Sequence, residues 1–316
     1  MTCINKVTMR YLLISATAAL NLGCSSPTMI NLSGHVLDAT GKPLAGVTVT
    51  TKTNSTITAA SGAWQLIGLP NDTLQLRKVG FHTQVIPAGN SEVRLTATPG
   101  PIRVVWDERW LPQPTAGLKA YLSSKGLAII TIAHGALPPA EVVVLLSPAF
   151  FTAEAAQQLL AMSRSGSTLI IAGEWGGYPG VDREALNLLS QPAGITFEGS
   201  LIRNLTTTGV SEWLSPLFID PAISPANGAR FFSAGYLTIV PPAKPFAISG
   251  ERSYRVASSS WSKGSQVLAA YSPLGAGKII ALSDTSCFSD ETVRSQKSPR
   301  WQSSDNANLM LELIRF

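Results

Sequence analysis

Between residues 30 and 98 apolar side chains recur in short alternating runs: 32–37, 47–51, 63–69, 73–79, 83–86 and 93–96. Turn-forming clusters separate them, notably Asp38-Ala-Thr-Gly41-Lys-Pro43, Ser61-Gly62 and Pro70-Asn71-Asp72. Strands this short and this closely spaced, with no helical period, predict a small all-β antiparallel sandwich over 30–98. Gly41 and Pro43 suit a tight turn, Leu44 is expected in the core, and Gly46 to Val49 begins the next strand.

After Pro99-Gly100-Pro101, a linker by composition, the period changes. Strand-like runs at 102–106, 127–133, 142–146 and 168–172 alternate with helical stretches at 115–124 and from Thr152 onward. In the second stretch Thr152 can cap the helix, Glu154 suits its positive end, and Ala156, Leu159 and Leu160 form an apolar stripe. Thr168 to Ala172 is almost wholly apolar, as expected of a strand buried on both faces. A helix at 182–189 and a strand near 195–197 follow. Residues 200–260 are rich in Pro, Ser, Gly and Thr and predict an irregular or β-rich insertion. Order returns with strands at 266–271 and 278–282 and a last helix from Asp305. The alternation predicts an α/β domain over 101–316 with a mainly parallel sheet covered on both faces.

The first 29 residues carry a different signal. Lys6 and Arg10 precede the apolar run Tyr11 to Leu20, a charged n-region and short h-region too brief to span a bilayer as a mature helix. Asn21-Leu22-Gly23-Cys24-Ser25-Ser26 resembles the lipobox of bacterial lipoproteins, with Asn21 departing from its usual aliphatic residue. The resemblance implies a signal peptide at 1–23, lipidation at Cys24 and a linker at 24–29, hence an exported protein held by its lipid anchor to a membrane. The lack of Asp at position 25 points to the outer membrane, facing the periplasm or cell surface. An ordinary cleaved signal peptide is the alternative, and export follows from either.

Composition narrows the function classes. The chain is 45% hydrophobic and 14% charged, so global disorder is excluded. The formal charge is +5; without the first 23 residues 22 basic residues face 19 acidic ones, and no basic cluster exists. Nucleic acid is therefore not an expected partner. Processing at Cys24 would remove Cys3 and consume Cys24, leaving Cys287 without a disulfide partner. His35, His82 and His134 are far apart and no CxxC pair occurs, which argues against a zinc site.

Gly34-x-Val36-x-Asp38-x-x-Gly41-x-Pro43-Leu44-x-Gly46-Val47-x-Val49, with Ala60-Ser61-Gly62-Ala63-Trp64 later, resembles the carboxypeptidase regulatory-like domain. That resemblance implies a β-sandwich of spacer or binding type without catalysis. Further on, Val142 to Pro148, Gly166 to Gly173, and Gly275 to Asp284 with Asp305-Asn306-Ala307 are similar to the class I glutamine amidotransferase-like fold, a flavodoxin-like α/β architecture, in a variant found in uncharacterised bacterial envelope proteins. Such enzymes carry a nucleophilic cysteine on a sharp Gly-x-Cys-x-Gly elbow. The local counterpart here is Gly173-Glu174-Trp175-Gly176-Gly177, and Trp175 cannot attack a carbonyl.

Ligands of open parallel sheets gather at the carboxyl ends of the strands. Those ends give Asp107, Ser147, Glu174, Trp175 and Asp284, with Asp305 and Asn306 opening the last helix, as candidate ligand-binding residues. No cofactor is required, although a divalent cation could be held by the oxygen ligands. Glu174, Asp284 and Cys287 are the catalytic candidates, the acids for proton transfer and the thiol with His134 as nucleophile. The structural alternative makes Asp and Ser helix caps, leaves Glu174 solvated and buries Cys287. Six of the seven tryptophans follow residue 100; if exposed, they would support stacking on sugar or peptide. The leading expectation is a non-enzymatic cell-envelope lipoprotein whose α/β domain binds a protein or glycan partner, with the sandwich as spacer. The alternative is a hydrolase or metal-dependent enzyme acting on an envelope substrate through the strand-end acids.

Overall fold

The computed structural model describes residues 28–110, 114–146, 151–175, 182–206, 209–250, 253–257, 260–292 and 298–316. The segment 1–27, with Cys24, and Ser147 lie outside the described residues. Among the described residues no helix is long and apolar enough to cross a membrane.

The N-terminal region is β-rich and sandwich-like. One sheet orders Ala63–Gly68, Ile30–Asp38 and Glu92–Leu95; the other orders Ser55–Ile57, Thr48–Thr50, Thr73–Arg77 and Gln84–Pro87. Alternation explains both. Trp64, Leu66, Val36, Leu74 and Leu76 point inward while their neighbours face out. The sandwich departs from the expected antiparallel pattern at one place: Ile30–Asp38 runs parallel to Glu92–Leu95. The turn after the first strand is built by Asp38, whose Oδ1 accepts from Thr40 N at 2.8 Å and Lys42 N at 2.9 Å, with Gly41 at φ +89°. Leu44 is buried as expected.

The following region is a mixed α/β unit with few helices around a ten-stranded sheet. Five strands are parallel, in the spatial order Ala128–Ile132, Arg103–Asp107, Val142–Leu146, Thr168–Ala172, Gly277–Leu282. Numbered along the chain these lie in the order second, first, third, fourth, fifth. Alternate residues face opposite layers. Val142, Val144 and Ile170 meet helices Ala116–Ser124 and Asn306–Arg315 on one face, and Val143, Leu145 and Leu169 meet Ala153–Arg164 and Arg183–Ser190 on the other. Thr152 and Asp182 cap their helices, accepting from Ala155 N at 3.2 Å and Ala185 N at 3.1 Å.

The expectation of a mainly parallel sheet requires correction. Val267–Leu274 and Gly277–Leu282 are joined by only Gly275 and Ala276, and a link that short forces antiparallel pairing. The insertion then adds Leu237–Ile239, Lys244–Ile248 and Leu217–Phe218, all antiparallel, to the same sheet. Its remaining strands form a separate four-stranded sheet and a two-stranded ribbon of Trp213–Leu214 with Phe231–Phe232.

The two regions share a packed seam. Ile57 and Val79 of the sandwich belong to the same apolar cluster as Val104, Leu313 and Phe316. Thr50 Oγ1 donates to Gly275 O at 3.1 Å, Gly80 N donates to Glu141 Oε1 at 3.3 Å, and Lys78 Nζ donates to Arg315 O at 2.7 Å.

Candidate functional site

The strand-end acids do converge, but inside the protein. Glu174 follows strand Thr168–Ala172 and Asp284 follows the neighbouring Gly277–Leu282, and both are buried. Glu174 is therefore not the solvated residue of the structural alternative. Its Oε1 accepts from Thr285 N at 3.2 Å, Thr285 Oγ1 at 2.7 Å, Ser286 N at 3.0 Å and Ser286 Oγ at 2.8 Å. Asp284 Oδ2 accepts from Phe232 N at 2.6 Å. Glu174 Oε2 and Asp284 Oδ1 have no hydrogen-bond partner among the described residues.

Burial pushes the Glu174 carboxyl up, opposed by the hydrogen bonds from Thr285 and Ser286. Burial, and then the neighbouring Glu174, push Asp284 well above the usual carboxylate range, with Arg300 pulling the other way. Two carboxyls in one buried site cannot both ionise cheaply, so the pair holds its protons more tightly than exposed carboxyls do.

Cys287 sits one turn on, fully buried, its Sγ 3.5 Å from Asp284 O. Burial first, then Asp284 and Glu174, raise its thiol well above the ordinary value. A nucleophile needs the thiolate and access, and this cysteine has neither. Asn306 is a clamp. Its Nδ2 donates to Arg230 O at 3.0 Å, Cys287 O at 3.0 Å and Arg300 O at 3.2 Å, while its Oδ1 accepts from Arg230 N at 2.8 Å. Asp305 occupies the N-cap position without capping its helix; its carboxylate accepts from Asn308 Nδ2 at 2.5 Å and Asn227 N at 3.3 Å. Asp107 is engaged elsewhere, in a two-pronged pair with Arg109 at 2.8 and 2.9 Å. Trp175 is half-buried, as are Trp110, Trp213 and Trp301, while Trp106 is core. No tryptophan whose burial is described is largely exposed.

No group of three or more His, Cys, Asp or Glu among the described residues could hold a metal ion. Two clefts lie along the seam instead, and no strand-end candidate lines either. One, of about 1040 Å³, is lined by Trp64, Pro241, Pro242 and Tyr271. The other, of about 560 Å³, is lined by Arg77, Lys78, Arg103, Glu141 and Lys278. Sequence reasoning missed this second group. The signal was present in Lys278, a lysine opening an otherwise apolar strand, since a buried ammonium demands an unusual environment.

Comparison with known proteins is consistent with these two regions. A model of the carboxypeptidase regulatory-like domain matches residues 31–100. A second model, described as a domain of unknown function (DUF4350), matches residues 111–314. No curated protein matches the chain. Among solved structures it is similar to the mmIFT52 N-terminal domain, at 17% identity and a TM-score of 0.51, covering 67% of this chain and 95% of that one. It is also similar to a cytoplasmic protein from Salmonella typhimurium, at 10% identity and a TM-score of 0.47, covering 68% of this chain and 98% of that one. A cold-adapted beta-galactosidase from Rahnella sp. R3 follows, at 13% identity and a TM-score of 0.42, with 69% of this chain against 31% of that one. At these identities the likeness concerns the fold alone.

Proposed function

The chain belongs to the DUF4350 family over residues 111–314, and on that premise we propose that it is a non-enzymatic cell-envelope lipoprotein whose α/β unit binds a protein or glycan partner. The carboxypeptidase regulatory-like region sets that unit off from a lipid anchor at Cys24. The observation that carries the non-enzymatic reading is the sealed strand-end cluster. Glu174, Asp284, Cys287 and Asn306 are all buried, and the hydrogen bonds they make go to the protein's own backbone and hydroxyl groups. A catalytic group must reach a substrate atom at hydrogen-bond distance, and these face the interior.

The parallel strands lie in the second, first, third, fourth, fifth order of a flavodoxin-like sheet. That order supports a glutamine amidotransferase-like core from which the nucleophile is missing. Lipid attachment rests on the Gly23-Cys24-Ser25 sequence.

Two measurements test the reading. Metabolic labelling with a palmitate analogue should mark the wild-type chain and not Cys24→Ser; a wild-type chain that takes up no label would remove the anchor. Thermal unfolding with magnesium, calcium, manganese or zinc should show no stabilisation. A ligand at 100 times its dissociation constant stabilises by about 2.7 kcal/mol, so a cation shift that disappears in Asp284→Asn would replace the scaffold with a metal-dependent enzyme.

A further inference from the structure

We propose that the cleft between the sandwich and the α/β unit binds an anionic ligand, one bearing phosphate or carboxylate groups, through Arg77, Lys78, Arg103 and Lys278. The site stands on the seam alone and does not depend on the partner-binding reading.

Four cations line this cleft of about 560 Å³ and one carboxylate, Glu141, faces them. Glu141 offsets one of them but pairs with none: its Oε1 accepts from Gly80 N at 3.3 Å and its Oε2 from Arg103 N at 2.9 Å. The five ion pairs among the described residues all lie elsewhere. Arg77 donates to Ser165 O. Lys278 Nζ donates to Gly46 O and, at 2.6 Å, to Phe316 O. Lys78 Nζ donates to Arg315 O and, at 3.1 Å, to Phe316 O. The Arg103 guanidinium has no partner among the described residues. Even if Phe316 contributes a carboxylate, the cleft keeps two more cations than anions.

Such an arrangement is costly in the empty protein. Carbonyl oxygens satisfy the donors of an ammonium but do not cancel its charge. The cost is visible in the lysines: burial lowers Lys78 to about 8, and burial together with Lys78 pushes Lys278 well below its ordinary value. An incoming anion would supply the missing charge. The volume falls within the roughly 300–1,000 Å³ of small-molecule sites. Phe81, Leu137 and Met162 add an apolar wall, so a ligand carrying a hydrocarbon portion also fits.

The same headgroup chemistry occurs in a free polyanion and in an anionic lipid, and calorimetric titration separates them. Full-length protein is titrated with inorganic pyrophosphate and, separately, with short-chain phosphatidylglycerol below its micellar concentration. Saturable binding of either is expected, with affinity falling as salt is added. Pyrophosphate binding identifies a free polyanion; binding confined to the lipid identifies a headgroup. Arg103→Glu replaces an exposed side chain with no partner among the described residues, so folding should be retained. It should weaken binding by about tenfold or more. Absence of saturable binding with both probes, or binding untouched by Arg103→Glu, overturns the proposal.

Discussion

Glu174 and Asp284 stand at the ends of neighbouring parallel strands, both sealed from solvent, and each leaves one carboxylate oxygen without a hydrogen-bond partner among the described residues. The other Glu174 oxygen ties down the segment that follows Asp284, because Thr285 and Ser286 give it both backbone and hydroxyl hydrogens. The acids thus hold two strand ends together, a task that any enzyme role would have to share.

Glu174→Ala removes the acceptor of four hydrogen bonds, two of them from buried backbone N–H groups. Losing a buried hydrogen-bond partner costs about 1–3 kcal/mol, so a loss of about 3 kcal/mol is expected. Glu174→Gln keeps an acceptor oxygen and should cost less than half as much. Chemical denaturation of the two variants measures the difference. Equal losses would show that these hydrogen bonds are not what the residue contributes.

Cys287 is predicted to be inert in the native protein. Burial and the adjacent acids hold its thiol protonated, so alkylation read at its own peptide by mass spectrometry should appear only once the chain unfolds. Rapid labelling under native conditions would reopen the nucleophile reading.

Gly46 is predicted to tolerate no side chain. Its φ is +73°, and an added Cβ would stand 2.0 Å from Phe316 O across the seam. Gly46→Ala should cost at least about 3 kcal/mol, combining left-handed strain with a clash against backbone. Gly89, with nothing within 4 Å of an added Cβ, serves as the control and should change by less than about 0.5 kcal/mol on replacement by Ala. A mild Gly46→Ala would mean that the two regions separate easily.

Much of the fold was legible because local pattern and tertiary role agree. Thr168–Ala172 is apolar at every other position on both sides and becomes a strand buried on both faces. Thr152 was readable as a cap from its place before an apolar stripe, whereas Asp182, read as the start of its helix, caps it from one position outside. Strand direction was not legible in the same way. The Gly275-Ala276 link was visible as a turn, but the strands from 217 to 248 enter the main sheet through contacts distant in sequence, which no local period encodes. The strand-end rule named Glu174, Asp284 and Asn306 along with Asp107, Ser147, Trp175 and Asp305, yet it could not distinguish an open crevice from a sealed one. The insertion reaches this cluster through contacts distant in sequence: Phe232 N donates to Asp284 and Arg230 N to Asn306. Beyond the hint of Lys278 in an apolar strand, the seam cations could not be grouped, because Arg77 and Lys78 come from one region, and Arg103 and Lys278 from the other.

The central claim is that the strand-end carboxyls belong to the interior and share its proton economy. A carboxyl raised in the folded state binds more protons there than in the unfolded chain. Stability is therefore fullest below the unfolded values near 4 and falls as pH rises through the range up to the folded values. Asp284→Asn removes one titrating group and, with it, the charge that pushes on its neighbour. The decisive measurement is the urea midpoint of wild type and Asp284→Asn across pH 4 to 9. Wild type should lose stability with rising pH and the variant should lose markedly less. Parallel profiles would mean that Asp284 ionises normally at an open site, and would contradict the account.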